Sequence, residues 1–206
     1  MIKSLRRLIT VVCLFSFGYL VPGLALAHVN AGATAGFLHG FLHPIGGLDH
    51  ILAMVGVGLW AAQLGGKAVW AVPLAFVVAM AIGGILGIIG TPLPLVEPAI
   101  IASDLILGGL VVLATPFPLW ASAGLVGCLA IFHGFAHGAE MPADSSGLAY
   151  SAGFMLATLG LHLTGIGVVA MVKQLNHDKE EILIRISGGG VLLAGVYVLV
   201  NSLFQN

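Results

Sequence analysis

Ala68 to Gly90 reads AVWAVPLAFVVAMAIGGILGIIG, an apolar run without a single charged side chain. Roughly 20 apolar residues cross a bilayer core as a helix, so this run spans. It is too long for a barrel strand and lacks the alternation that such a strand needs. Working outward, similar runs recur at Leu95 to Ala114, Leu119 to about His137, Leu148 to Val172 and Leu183 to Phe204. Between them lie Thr91-Pro-Leu-Pro94, Thr115-Pro-Phe-Pro118, the polar Glu140 to Ser146, and the charged Lys173 to Glu181.

The composition agrees. Of 206 residues, 59% are hydrophobic and only 7% are charged, against about 25% charged in an ordinary soluble domain. Mean hydropathy is +1.12. A water-soluble enzyme is thereby excluded, and no basic patch points to nucleic acid. Cys13 and Cys128 supply no thiolate set. The 8 histidines stand out because they outnumber the 7 lysines and arginines. Ionisable groups are expensive in lipid and mark pathways or sites there.

Lys3, Arg6 and Arg7 precede an apolar stretch from Leu8 to Leu20, then Pro22, Gly23 and Ala25-Leu-Ala27. That order is a secretory signal peptide over residues 1–27, with an uncleaved anchor as the alternative. Residues 28–206 would then form one transmembrane helical domain. Cleavage removes three basic residues and leaves an acidic, histidine-rich chain.

Ala31 to Leu64 is long for one helix and short for two, and Pro44-Ile-Gly-Gly47 should break or bend it. Charge decides between the readings. Counted as one broken span, it gives six in all and puts Lys67, Lys173, Lys179 and Arg185 on the cytoplasmic side. Two spans here would give seven and place all four outside. The expected fold is therefore all-α and polytopic, with six spans, the first broken at Pro44–Gly47, and both termini external.

Two clusters carry the chemistry. In His43-Pro-Ile-Gly-Gly-Leu-Asp49-His50, preceded by His39, the helix break should fold Asp49 and His50 back towards the space that His39 and His43 face. Unwound backbone at membrane depth is tolerated where it is buried in protein or lines a cavity. An imidazole–carboxylate set at such a break reads as a first-row metal site, the plain alternative being histidines that cap loose carbonyls. In the second cluster, spacings of four and seven put His133, His137 and Glu140 on one helical stripe. Gly134 and Gly138 allow a neighbouring helix to come close. The two clusters share HGFxH, at His39–His43 and His133–His137. The first copy lies early in its span and the second late, which favours independent use of the same chemistry over duplication.

Other groups are thinner evidence. Glu97 and Asp104 lie seven apart on one face of the third span, where no Lys or Arg could pair with them, so a cation or a hydrogen bond must compensate. His162 reads as a satisfied interior histidine, and His177 as a solvated loop residue. His28, if cleavage follows Ala27, would offer a free amino group beside its imidazole and could chelate a divalent ion.

HPIGGLDH followed by Ile51-Leu-Ala-Met54 and Gly58-Leu-Trp60, with FHGFAHGAE later, resembles the HupE/UreJ family of bacterial membrane proteins. The resemblance spans essentially the whole mature chain. It implies a permease for nickel, or cobalt, serving hydrogenase, urease or cobalamin metabolism, with His43, Asp49, His50, His133, His137 and Glu140 as functional positions. The first motif is also similar to the His-x4-Asp-His signature of the nickel-cobalt transporters, although here five residues separate His43 from Asp49. Ni²⁺ or Co²⁺ is then cargo, and no organic cofactor is expected. An intramembrane zinc hydrolase is the rival reading, since three histidines and an acid can hold zinc and activate water. A haem-binding electron carrier with axial histidines is a third.

Overall fold

The computed structural model describes residues 33–141, 146–175 and 179–204. The expected signal peptide, His28 and His177 lie outside the described residues. Among those described there are seven helices and no strand: α1 (Ala33–Gly46), α2 (Leu48–Leu64), α3 (Ala68–Ile88), α4 (Val96–Leu113), α5 (Leu119–Ala139), α6 (Gly147–Leu175) and α7 (Glu180–Phe204). Helices α3 to α7 are each long and apolar enough to cross a membrane. The bent pair formed by α1 and α2, with an angle of 82° at the break, supplies a sixth span when counted as one. The chain is a multi-pass helical membrane protein.

The break is narrower than Pro44–Gly47. Helix α1 runs through Pro44 to Gly46, and the chain turns at Gly47, which is extended (φ −103°, ψ 127°) before α2 begins. Proline near the end of a helix loses one intrahelical bond without forcing an immediate stop. The third span is likewise trimmed at both ends, because Leu95 (φ 61°) and Ala114 (φ 51°) adopt the left-handed conformation that L side chains seldom take.

Helix α2 is the axis of the molecule. Ala53, Met54, Val57, Trp60 and Ala61 are fully buried along it, and it touches α3, α4, α6 and α7. The surrounding helices turn apolar residues outward. On α3 these are Trp70, Leu74, Val78, Ile82 and Ile85, one per turn, facing where lipid tails lie.

Water gives no drive for helices to associate in lipid, so close van der Waals packing through small residues must hold them together. Glycines sit at the crossings. Gly83 and Gly87 of α3 lie against the Ile131 and Phe135 carbonyls of α5, and Gly134 and Gly138 of α5 answer against Met80 and Gly84. Gly40 and Gly153 do the same between α1 and α6, Gly58 and Gly165 between α2 and α6, and Gly108 and Gly188 between α4 and α7. The close approach expected at Gly134 and Gly138 is present.

Contacts also sort the helix ends. The Gln63 side-chain amide donates to the Val111 carbonyl (3.1 Å), and Trp60 meets Phe117 edge-on (5.7 Å between ring centres). The end of α2 and the end of α4 thus share one face of the molecule with Lys67. The α1–α2 junction, the end of α5 and the start of α6 share the opposite face, where His43 meets Glu140 and Tyr150.

Candidate metal centre

The two histidine clusters converge at this second face. His43 comes from α1, His50 from the first turn of α2, and His133 and His137 from the last turns of α5. Their rings form a file. His43 lies 4.8 Å from His137, His137 4.4 Å from His50, and His50 5.5 Å from His133, centre to centre. The sharp turn at Gly47 makes this possible, since a continuous helix would carry His50 seven residues, about 10 Å, beyond His43.

At the outer end, the Nε2 of His43 lies 3.7 Å from Glu140 Oε2. His43, His137 and Glu140 each offer a ligand atom, and these atoms all lie within 4.8 Å of one another. The arrangement has the donor types and the spread of a first-row divalent cation site. Glu140 is largely exposed, His43 half-buried and His137 buried, so polarity and access fall off inward. His137 is the hub. Among the described residues neither of its ring nitrogens has a hydrogen-bond partner, and it also packs against Phe154 (4.2 Å). Buried polar atoms without partners are rare and need a reason; an arriving ion is one.

Further in, neighbouring groups set the histidine tautomers. Asp49 Oδ1 accepts from His50 Nδ1 (2.7 Å), which leaves the buried Nε2 lone pair of His50 without a partner. A carboxylate holding the far nitrogen in this way orients a histidine and makes it more basic towards metal. Gly47 leaves room for the pair, because a Cβ there would sit 2.6 Å from His50 Nδ1 and 2.8 Å from Asp49 Oδ1. Ser103 of α4 does the equivalent for His133. Its hydroxyl donates to the Ile100 carbonyl (2.6 Å), so its oxygen accepts from His133 Nε2 (2.8 Å) and leaves Nδ1 as the unpartnered lone pair.

Ser103 carried no signal in the sequence beyond its place beside Asp104. We expect Ser103→Ala to lower metal affinity about tenfold, as loss of an outer partner typically does, with the fold unchanged. Equilibrium binding of nickel to the purified protein checks this.

The remaining expected residues divide. Asp104 is fully buried, and among the described residues neither of its carboxylate oxygens has a hydrogen-bond partner. Glu97 shares its helix face but not its environment, being exposed in the first turn of α4 and outside the histidine file. His39 is exposed on α1, whereas the corresponding His133 is fully buried. The two HGFxH copies are therefore not equivalent, although their second histidines, His43 and His137, meet. His162 is not the satisfied interior histidine that the sequence suggests, since it is fully buried and both ring nitrogens lack hydrogen-bond partners among the described residues.

The model of the HupE / UreJ protein family matches residues 16–198. The chain belongs to the HupE/UreJ family. Its match to Protein HupE of Rhizobium leguminosarum bv. viciae is 49% identical over 181 residues, covering 87% of this chain and 92% of that one. No solved structure matches. Both motifs that carried the resemblance, HPIGGLDH and FHGFAHGAE, fall within the span of the HupE/UreJ match, and they are the two segments that the fold brings face to face.

Proposed function

We propose that this HupE/UreJ protein is a permease that carries Ni²⁺, or Co²⁺, inward across the bacterial cytoplasmic membrane. The observation that carries the reading is the file of four imidazoles, open at the Glu140 end and buried at the His133 end. Imidazole and carboxylate donors suit these borderline ions, and the lack of a thiolate set argues against Cu(I). Conduction needs several sites, each weak enough to release its ion. A file of histidines drawn from α1, α2 and α5 meets that need better than one closed shell, which is what a zinc hydrolase would require.

In this reading Glu140, His43 and His137 take the ion from outside. His50 and His133 receive it next, held in register by Asp49 and Ser103. Asp104 offers a further carboxylate at that depth. Lys67, Lys173, Lys179 and Arg185 favour the opposite face as the cytoplasmic one. The cargo would serve a metalloenzyme that needs nickel or cobalt, such as a hydrogenase or a urease.

The test is uptake of labelled nickel and cobalt into vesicles containing the pure full-length protein. Saturable uptake with mutual competition between the two ions supports the reading. Vesicles that hold correctly folded protein and take up neither ion would sink it.

A further inference from the structure

Twelve residues beyond Tyr150 on α6, His162 lies about 18 Å deeper along the helix than the outer end of the site. It is fully buried, and neither nitrogen has a hydrogen-bond partner among the described residues. Its one ring contact among the described residues is Phe76 of α3, which meets it edge-on at 5.0 Å. The same Phe76 ring lies 5.8 Å from His133, the innermost histidine of the file. One turn along the same two helices, the Thr158 hydroxyl meets the Met80 sulfur at 3.7 Å, and Met80 with His137 lines a cavity of about 230 Å³. The α3–α6 seam thus places the Met80 thioether beside the outer cavity and the His162 imidazole one turn further in, past Phe76.

We infer that His162 is a further ion-relay site, on the cytoplasmic side of Phe76, that receives the divalent cation from His133. Two features favour a ligand over a packing residue. An apolar side chain would fill this position between α2, α3 and α6 without burying two unsatisfied nitrogens, whose desolvation is unfavourable. The backbone is also fixed there: Gly58 of α2 lies against the His162 carbonyl, and Gly165 lies against the Val55 carbonyl, so the imidazole is presented from a rigid crossing. Phe76 touches both rings, and an ion moving between them passes it. Displacement of that one side chain would open or close the step. A borderline cation with low preference for thioether sulfur would bind here chiefly through imidazole, weakly enough to be released.

This inference rests on the permease reading, and the experiment separates the two. Nickel flux into vesicles and equilibrium nickel binding are measured for the wild type, His162→Leu and His162→Gln. Binding to the outer cluster should stay within twofold of wild type in both variants, which also reports that they are folded. Flux should fall at least tenfold in His162→Leu and less in His162→Gln, whose amide oxygen can still donate. If His162→Leu keeps outer binding and carries nickel at the wild-type rate, the relay role is overturned while the permease reading stands. Equal losses in both variants, accompanied by weakened outer binding, would instead assign His162 to packing and overturn the relay. A wild type that binds nickel without carrying it overturns the permease reading and the relay together.

Discussion

His137→Ala should reduce nickel uptake at least about a hundredfold at sub-saturating nickel, the largest loss expected from any single side chain in the site. His137 alone touches both His43 and His50 (4.8 and 4.4 Å between ring centres), and it completes the triad with His43 and Glu140. Removing it takes a ligand from the outer triad and breaks the file between its outer and inner rings. Loss of an outer-shell partner already costs roughly 10- to 100-fold in metal affinity, so loss of a ligand at the hub belongs at or beyond the upper end. Stability should change far less than uptake, because the packing lost against Phe154 is partly offset by removal of two buried nitrogens that have no hydrogen-bond partner among the described residues. The check is a pair of measurements on one preparation: initial rates of labelled nickel uptake and thermal unfolding. Uptake within threefold of wild type would remove His137 from the route. By contrast, His39→Ala, which changes an exposed histidine of the same motif, should leave uptake close to wild type.

That contrast marks how far the sequence could be read. Apolar runs over Ala68–Gly90 and its counterparts are long, uninterrupted and physically unambiguous, so the spans were legible. Pro44–Gly47 flagged the break to within three residues of its place at Gly47. That HPIGGLDH meets FHGFAHGAE, and which histidine meets which, depends on helix crossings that no local pattern encodes. Depth was the main thing lost. Glu97 and Asp104 have the same helical phase, yet one lies at the exposed start of α4 and the other is fully buried. Ser103 was invisible because a serine in an apolar run is common, and only the approach of α5 gives it His133 as a partner. His162 was misread for the converse reason: sequence shows that a histidine is mid-span, not whether anything satisfies it.

The second large effect is expected at a residue with no chemistry at all. Gly134 stands between His133 and His137, and a Cβ there would lie 2.7 Å from the Met80 carbonyl carbon and 2.9 Å from the Gly84 nitrogen, closer still to the Met80 carbonyl oxygen. These are backbone atoms and cannot swing aside as a side-chain tip would. Gly134→Val must therefore push α5 away from α3, and the reciprocal contacts at Gly83, Gly87 and Gly138 go with it. Overpacking of a well-filled core costs about 1–3 kcal/mol, and a β-branched residue against a backbone carbonyl should lie at the top of that range or above. Gly124, five residues from the start of the same helix, has nothing within 4 Å of a Cβ. Gly124→Val should leave thermal unfolding in detergent within about 0.5 kcal/mol of wild type, as for a surface change. Separation of α5 from α3 also displaces the stripe that presents His133 and His137 to α1 and α2. Nickel affinity should consequently fall in Gly134→Val by more than its loss of stability alone explains, while Gly124→Val binds normally. Equal behaviour of the two variants would mean that the α3–α5 crossing does not hold the site together.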